Sequence, residues 1–317
     1  MPARSESDVT YAWRLLRAGP IALDAGGMFG IIPRGVWSRD VTTDPRHRLV
    51  LAHNCLLLEA RDGSRILVES GSGGKFDAKQ RDLYGLGDRT VLDAVAEVAS
   101  PADVRHVIVT HLHFDHAGGL TRLAAPGERP HFVDPTDGRA VVRTFGDASI
   151  IVQAREWRDA RANTSVMTRT YLRENLEPLA DRLQLVDSPP PFPAGIIPAR
   201  DALPETPLED RMTEVLPGIF VFLVPGHTWG QQAVLFRDDR GRIVVFTPDV
   251  MPTSHHVGAA YSLAYDVEPY TTMLSKRWLL TAAAARDWLL VLCHEPGTAC
   301  VRVRPGDKGW FRLESEP

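Results

Sequence analysis

The stretch His111-Leu112-His113-Phe114-Asp115-His116, continued by Ala117-Gly118-Gly119, places four potential metal ligands within six residues. It follows His106-Val-Ile-Val-Thr110, a β-branched apolar run with a turn signal at Pro101 upstream. Such a run predicts a buried strand. The ligands therefore fall on the loop at a strand's C-terminal end, where a rigid sheet can hold binding groups still. His111 and His113 are two residues apart, so in an extended segment they point the same way and can grip one ion together. Asp115 and His116 come after a bend and can reach a second ion beside the first. Imidazole with carboxylate suits zinc, iron, manganese or cobalt. Gly118 and Gly119 predict a tight backbone turn free of any Cβ penalty.

The same arrangement recurs along the chain. Val224-Pro-Gly-His227-Thr-Trp-Gly230 follows the apolar run Ile219-Phe-Val-Phe-Leu-Val224, and Asp249 follows Ile243-Val-Val-Phe246. His294 follows Trp288-Leu-Leu-Val-Leu-Cys293. If these strands share aligned ends, all seven side chains converge on one rim. Cys293 adjoins His294, but strand alternation points it to the opposite face. It reads as buried core.

Taken together, these residues make the chain resemble a metallo-β-lactamase-fold metallo-hydrolase, and more narrowly the quorum-quenching N-acyl-homoserine lactonase branch. Further segments carry the resemblance: Asp24-Ala-Gly-Gly-Met28-Phe-Gly30, Pro33-Arg-Gly-Val-Trp37, Asn54-Cys-Leu-Leu-Leu58, Asp82-Leu-Tyr-Gly85, Glu156-Trp-Arg-Asp-Ala160 and Tyr171-Leu-Arg-Glu-Asn175. The resemblance implies an α/β fold, a four-layer αβ/βα sandwich with the metals at one edge. It implies two divalent ions, with zinc leading and manganese, iron or cobalt as alternatives. One ion would sit on His111, His113 and His227, the other on Asp115, His116 and His294. Asp249 would bridge them, together with a hydroxide that acts as nucleophile. Asp115 would also hold or shuttle a proton, so Asp115 and Asp249 are the catalytic candidates.

The implied reaction is opening of a lactone ring such as that of an N-acyl-homoserine lactone. Phosphotriester or aryl-ester hydrolysis on the same site is the alternative, and a non-catalytic metal-binding scaffold is the reading from another class. Three positions depart from the family pattern. Glu69 stands where the family carries Asp, as a carboxylate that would orient a metal-binding imidazole. Pro248 stands where it carries Gly. Pro252 replaces a Tyr that stabilises the oxyanion in some lactonases, leaving Ser254, His255, His256 or Tyr261 to substitute. Met28, Phe29, Trp37, Phe114 and Trp229 are candidates for an apolar substrate wall, with His255, His256 and Tyr261 as substrate contacts.

Composition agrees with one enzyme domain over residues 1–317. The chain is 44% hydrophobic and 24% charged, enough for a large core. A net charge of −4 without basic clustering offers no nucleic-acid footprint. Three cysteines make no disulfide framework. No apolar stretch is long enough to span a membrane, and the first residues lack an apolar leader. The expectation is a cytoplasmic protein whose partner is a small-molecule substrate.

Strands are expected at residues 21–24, 49–59 and 65–69, the last two joined by the turn Arg61-Asp-Gly-Ser64. Thr90 should cap a helix over 91–99 with Val91, Val95 and Val98 on its apolar face. Residues 121–207 read as an insertion and connector between two halves. Its turn signals at Pro130, Asp134-Pro135, Asp137-Gly138 and Gly146-Asp147 suggest an extra hairpin. Helices are expected at 156–161 and 167–185, the second with Tyr171, Leu172, Leu176, Leu179 and Leu183 as an apolar stripe. That stripe would serve as a cap over the site or as a homodimer face, or equally would pack on the domain as ordinary core. Ser188-Pro-Pro-Pro191 onward to Pro207 reads as an extended connector.

Overall fold

Unbroken apolar runs must be buried on both faces, and here two sheets pack against each other to do so. A computed structural model describes residues 9–163, 170–192 and 207–316. In the first half the strands are β1 (Ala12–Asp24), β2 (Arg48–Glu59), β3 (Arg65–Val68), β4 (Val104–Ile108), β5 (Thr121–Leu123), β6 (Phe132–Val133), β7 (Ala140–Arg143), β8 (Ser149–Gln153) and β9 (Leu183–Val186). One sheet has the order β1-β2-β3-β4-β8-β9, antiparallel from β1 to β3 and parallel from β3 onward. A small separate sheet has the order β5-β7-β6.

The second half supplies β10 (Thr213–Leu216), β11 (Ile219–Leu223), β12 (Gln232–Arg237), β13 (Ile243–Thr247), β14 (Leu289–Leu292), β15 (Cys300–Pro305) and β16 (Phe311–Ser315). They lie side by side in sequence order. Only β13 and β14 run parallel, across a helical crossover. The helices are α1 (Ala25–Phe29), α2 (Arg34–Trp37), α3 (Ala78–Tyr84), α4 (Val91–Ala96), α5 (Phe114–Ala117), α6 (Ala154–Ala162), α7 (Arg173–Leu176) and α8 (Pro269–Arg286).

The core falls into layers that follow strand alternation. Leu56, Leu58, Ile66, Val68, Ile108 and Ile151 of the first sheet meet Val221, Val234, Phe236, Val244, Phe246 and Val291 of the second. The opposite face of the first sheet (Leu57, Leu67, Val107, Ile150, Val152) packs on α4, α6 and α7. The opposite face of the second (Phe222, Leu235, Val245, Leu290, Leu292) packs on α8 through Trp278, Leu279 and Ala283. The result is the expected four-layer αβ/βα sandwich. Among the described residues no helix is long and apolar enough to cross a membrane.

Local expectations meet mixed outcomes. The turn at Asp62-Gly63 is present: Gly63 takes φ +82, and the Asp62 carboxylate accepts from the Ser64 N–H and hydroxyl. Thr90 opens α4 with a capping box to Asp93, but the helix stops at Ala96 and Val98 is exposed. The extra hairpin appears as β6 and β7. The long helix over 167–185 does not. Residues 164–169 lie outside the described residues, and the rest divides into α7, one 3-10 turn at Glu177–Leu179 and strand β9 beside β8. Pro178 explains the break, because a proline has no N–H for the next helical hydrogen bond and clashes with the preceding turn. β8, α6 and β9 thus belong to the main sandwich, and β5 to β7 stand apart from it. Of the connector, Ser188–Phe192 carries no regular structure, and residues 193–206 lie outside the described residues.

Candidate metal centre

Every candidate ligand lies just past the C-terminal end of a strand. His111, His113, Asp115 and His116 follow β4, His227 follows β11, Asp249 follows β13, and His294 follows β14. Both sheets therefore contribute to one rim, and all seven side chains are buried. Past β4 the chain bends at Thr110 and enters α5 at Phe114, with His113 extended at the helix start. Gly118 and Gly119 differ from expectation in their reason. Gly118 has an ordinary helical φ of −62. What demands glycine is closeness: a Cβ there would stand 2.2 Å from the Ser72 carbonyl oxygen, and one at Gly119 2.1 Å from that of Ser70. The ligand helix is pressed against the loop that carries Glu69.

The donors form overlapping groups. His111, His113 and His227 place one atom each within 4.8 Å of one another, and so do Asp115, His116 and His294. Asp249 lies between the groups. Its Oδ2 is 3.4 Å from His227 Nε2 and 3.6 Å from His116 Nε2, while its Oδ1 is 3.3 Å from His294 Nε2. Asp115 Oδ2 is 3.7 Å from His294 Nε2.

For three of the five imidazoles, a hydrogen bond on the far side of the ring decides which nitrogen faces inward. Glu69 Oε2 accepts from His116 Nδ1 at 2.8 Å, and the Ala52 carbonyl accepts from His294 Nδ1 at 2.9 Å. Asp266 Oδ1 accepts from His227 Nδ1 at 2.9 Å. The Nε2 atoms left over carry lone pairs, and those of His116 and His294 face each other at 3.1 Å. His227 Nε2 lies 2.9 Å from His113 Nδ1. The buried Nε2 atoms of His111 and His113 have no protein partner. Facing lone pairs repel unless a proton or a metal cation lies among them, and the donor set is of the type that binds metal. The charge balance agrees. Burial opposes a proton on His116, but Glu69, Asp249 and Asp115 outweigh it and hold its pKa well above the ordinary value. The site draws positive charge.

Four residues near the ligands have roles that the sequence reading did not assign. Asp266 orients His227 from 39 positions away. Glu156 is buried under the ligand loops and accepts from Leu112 N–H, Tyr171 hydroxyl and Thr228 hydroxyl. Tyr265 has its ring 5.9 Å from that of His227, and its hydroxyl points at Met28 Sδ, 2.7 Å away. Burial raises its pKa, with the charges of Asp249 and Asp115 adding to the effect. Cys293 is a correction. It is buried as expected, but its thiol donates to Asp249 Oδ1 at 3.1 Å and so joins the site. It keeps the alternation of β14, packing with Leu289 and Val291 in the core between the sheets, and its thiol reaches Asp249 from that side. Asp266 and Tyr265 carry no local motif, and Glu156 opens a segment quoted above only for its family resemblance.

The substrate-wall candidates gather in a small core beside the site. Met28, Phe29 and Trp37 are buried there, with Phe114, Tyr261 and Tyr265 at its margin. Phe29 lies stacked between Trp37 and His256, each 5.1 Å away between ring centres. His256 is held by Thr253 and the Met28 carbonyl on its two nitrogens, and burial lowers its pKa to about 3. It is a packing residue, with neither nitrogen available to a substrate. His255 is exposed. Pro252 accepts the His294 N–H on its carbonyl at 3.0 Å, so that position holds the last ligand in place. Trp229 stands apart, lining a cavity of about 590 Å³ with Arg155, Pro191, Phe192 and Leu274.

Residues 48–294, which hold all seven candidate ligands, match the profile of the metallo-beta-lactamase superfamily. The chain belongs to this family. Among relatives of this superfamily member, an N-acyl homoserine lactonase from Bacillus cereus is 24% identical over 227 residues, 68% of this chain and 70% of its own. The fold is similar to the crystal structure of a probable metal-dependent hydrolase from Staphylococcus aureus, with a TM-score of 0.75 at 21% identity over 98% of this chain and 99% of the other. It is also similar to AidC, a dizinc quorum-quenching lactonase with product bound, with a TM-score of 0.67 at 15% identity over 98% and 99%. The chain is thus a metallo-beta-lactamase superfamily hydrolase with His and Asp residues positioned to bind metal.

Proposed function

We propose that this hydrolase holds two divalent cations and opens the ring of a lactone of the N-acyl-homoserine class. The observation that carries the two-metal reading is the pair of donor groups, His111–His113–His227 and Asp115–His116–His294, with Asp249 facing both. Zinc suits this nitrogen and oxygen set, as do manganese, iron and cobalt. When bound, two such cations supply hydroxide at neutral pH and polarise a carbonyl.

The chain's own residues do the rest. Glu69, Asp266 and the Ala52 carbonyl keep three imidazoles in the tautomer that turns Nε2 inward. Asp115 is the most exposed of the seven candidate ligands, and its carboxylate would relay a proton to the departing alkoxide. Tyr265 takes the role that Pro252 cannot fill. Its phenol, which stays protonated, turns from Met28 to donate to the oxyanion. The apolar group of Met28, Phe29, Trp37 and Phe114 offers an acyl chain a wall worth about 0.8 kcal/mol per buried CH₂.

Support for the lactone comes from the relatives named N-acyl homoserine lactonase. Pro252, in place of a donor side chain, favours phosphotriester or aryl-ester hydrolysis as the second reading. Initial rates on short- and long-chain acyl-homoserine lactones, an aryl ester and a phosphotriester, each with zinc, manganese or cobalt, test the two. Lactone turnover should exceed the others and rise with chain length. Faster ester or phosphotriester cleavage would transfer the assignment to the second reading.

A further inference from the structure

Glu156 has no part in the chemistry proposed above, yet it is wholly buried. A buried carboxylate is costly unless its oxygens are satisfied. Here the satisfaction comes from donors on the ligand loops. Oε1 accepts the Leu112 N–H, between His111 and His113, at 2.9 Å, and the Tyr171 hydroxyl at 3.1 Å. The Tyr171 ring in turn lies 5.1 Å from the His113 ring. Oε2 accepts the hydroxyl of Thr228, next to His227, at 2.6 Å. The His227 loop also comes very close to this helix start, since a Cβ at Gly230 would stand 2.3 Å from the Glu156 backbone nitrogen. His116 and His294 take their orientation elsewhere, from Glu69 and Ala52.

We propose that Glu156 is a positioning residue that clamps the His111–His113 loop to the His227 loop and thereby sets the cation affinity of that trio alone. The inference rests on the ligand assignment above. It makes α6 a support for one half of a two-metal site.

Cadmium titration of the full chain followed by cadmium-113 NMR tests it, with His227→Ala and His294→Ala identifying the two resonances. Wild type should give two resonances and bind two cadmium ions. Glu156→Leu should weaken one site about 10- to 100-fold, the one lost in His227→Ala, and leave the other unchanged. Glu156→Gln keeps an oxygen for Leu112 and an amide that Thr228 can accept from, so it should stay within about threefold of wild type. Equal weakening of both sites, or of neither, overturns the clamp. A wild type that binds fewer than two cadmium ions overturns the ligand assignment instead, before any variant is read. Should Glu156→Leu fail to fold, Thr228→Val removes a single clamp bond and should weaken the same site selectively. No selective loss there counts against the proposal.

Discussion

Asp249 turns one oxygen toward His294 and the other toward His227 and His116, so a change at this side chain reaches both donor groups. Asp249→Asn keeps the shape and removes the charge. Turnover should fall at least about a hundredfold, with loss of one bound cation by elemental analysis; full activity with two cations retained would refute the bridging role. Glu69 is informative in a different way. Its φ of +71 lies in the left-handed region, which costs a non-glycine residue roughly 1–2 kcal/mol. The conformation lets one carboxylate reach both the Thr110 N–H at 2.6 Å and His116 at 2.8 Å. Glu69→Gln should therefore weaken zinc about 10- to 100-fold in a chelator competition. Unchanged affinity would mean that His116 needs no help to point inward. The seven candidate ligands were legible because each follows an apolar run. Asp266 and Tyr265 were not, because contacts far along the chain place them, and Glu156 and Cys293 were named without these roles, the first in a family-like segment and the second as core.

At the scale of elements, the two glycines after His116 show how a right residue can be read for the wrong reason. The backbone does not need their freedom; the neighbouring loop needs their missing Cβ. Gly119→Ala would push a methyl into the Ser70 carbonyl oxygen and to 2.8 Å from Val91 Cγ1. We expect a loss of about 3 kcal/mol or more in urea unfolding, since such overpacking meets backbone that cannot swing away. A change below about 0.5 kcal/mol would show that the loop yields. The segment 167–185 failed as a single helix for a related reason. Its leucines recur at helical spacing, but Pro178 interrupts the backbone bonds and 183–186 finds a strand partner in β8. Periodicity reports which side chains are buried and says little about which hydrogen bonds the backbone will prefer when a sheet edge is available.

At the scale of the whole molecule, the sandwich was legible because central strands such as Leu289–Leu292 are apolar throughout and leave no solvent face. The charge of the interior was not. Lys75 donates to the carbonyls of Gly118 and Thr121, and Lys276 to those of Gly258 and Tyr261. Burial lowers each pKa to about 7, against the pull of Glu174 on Lys75 and Asp266 on Lys276. Unfolded lysines near 10.5 keep protons that the folded ones release, so between pH 7 and 10.5 the unfolded state binds more protons. Stability then rises with pH in that window, by up to about 1.4 kcal/mol per unit for each lysine. In saturating zinc, the urea midpoint should climb from pH 7 to 8.5, and the climb should shrink in the Lys75→Met, Lys276→Met double variant. Equal slopes in the two proteins would place the proton uptake elsewhere.

The assembly of the rim from both sheets also has a consequence in time. A chain emerging from the ribosome presents His111, His113, Asp115 and His116 first, His227 after roughly a hundred more residues, and His294 about seventy residues later still. On the ligand assignment above, the trio completed by His227 exists in a growing chain before the one that waits for His294. The first cation can then be captured while synthesis continues, and the second can join only when the last strands have docked. With two cations bound as proposed, loading would be ordered by translation itself, and a chain truncated between Asp249 and His294 would carry the first cation alone.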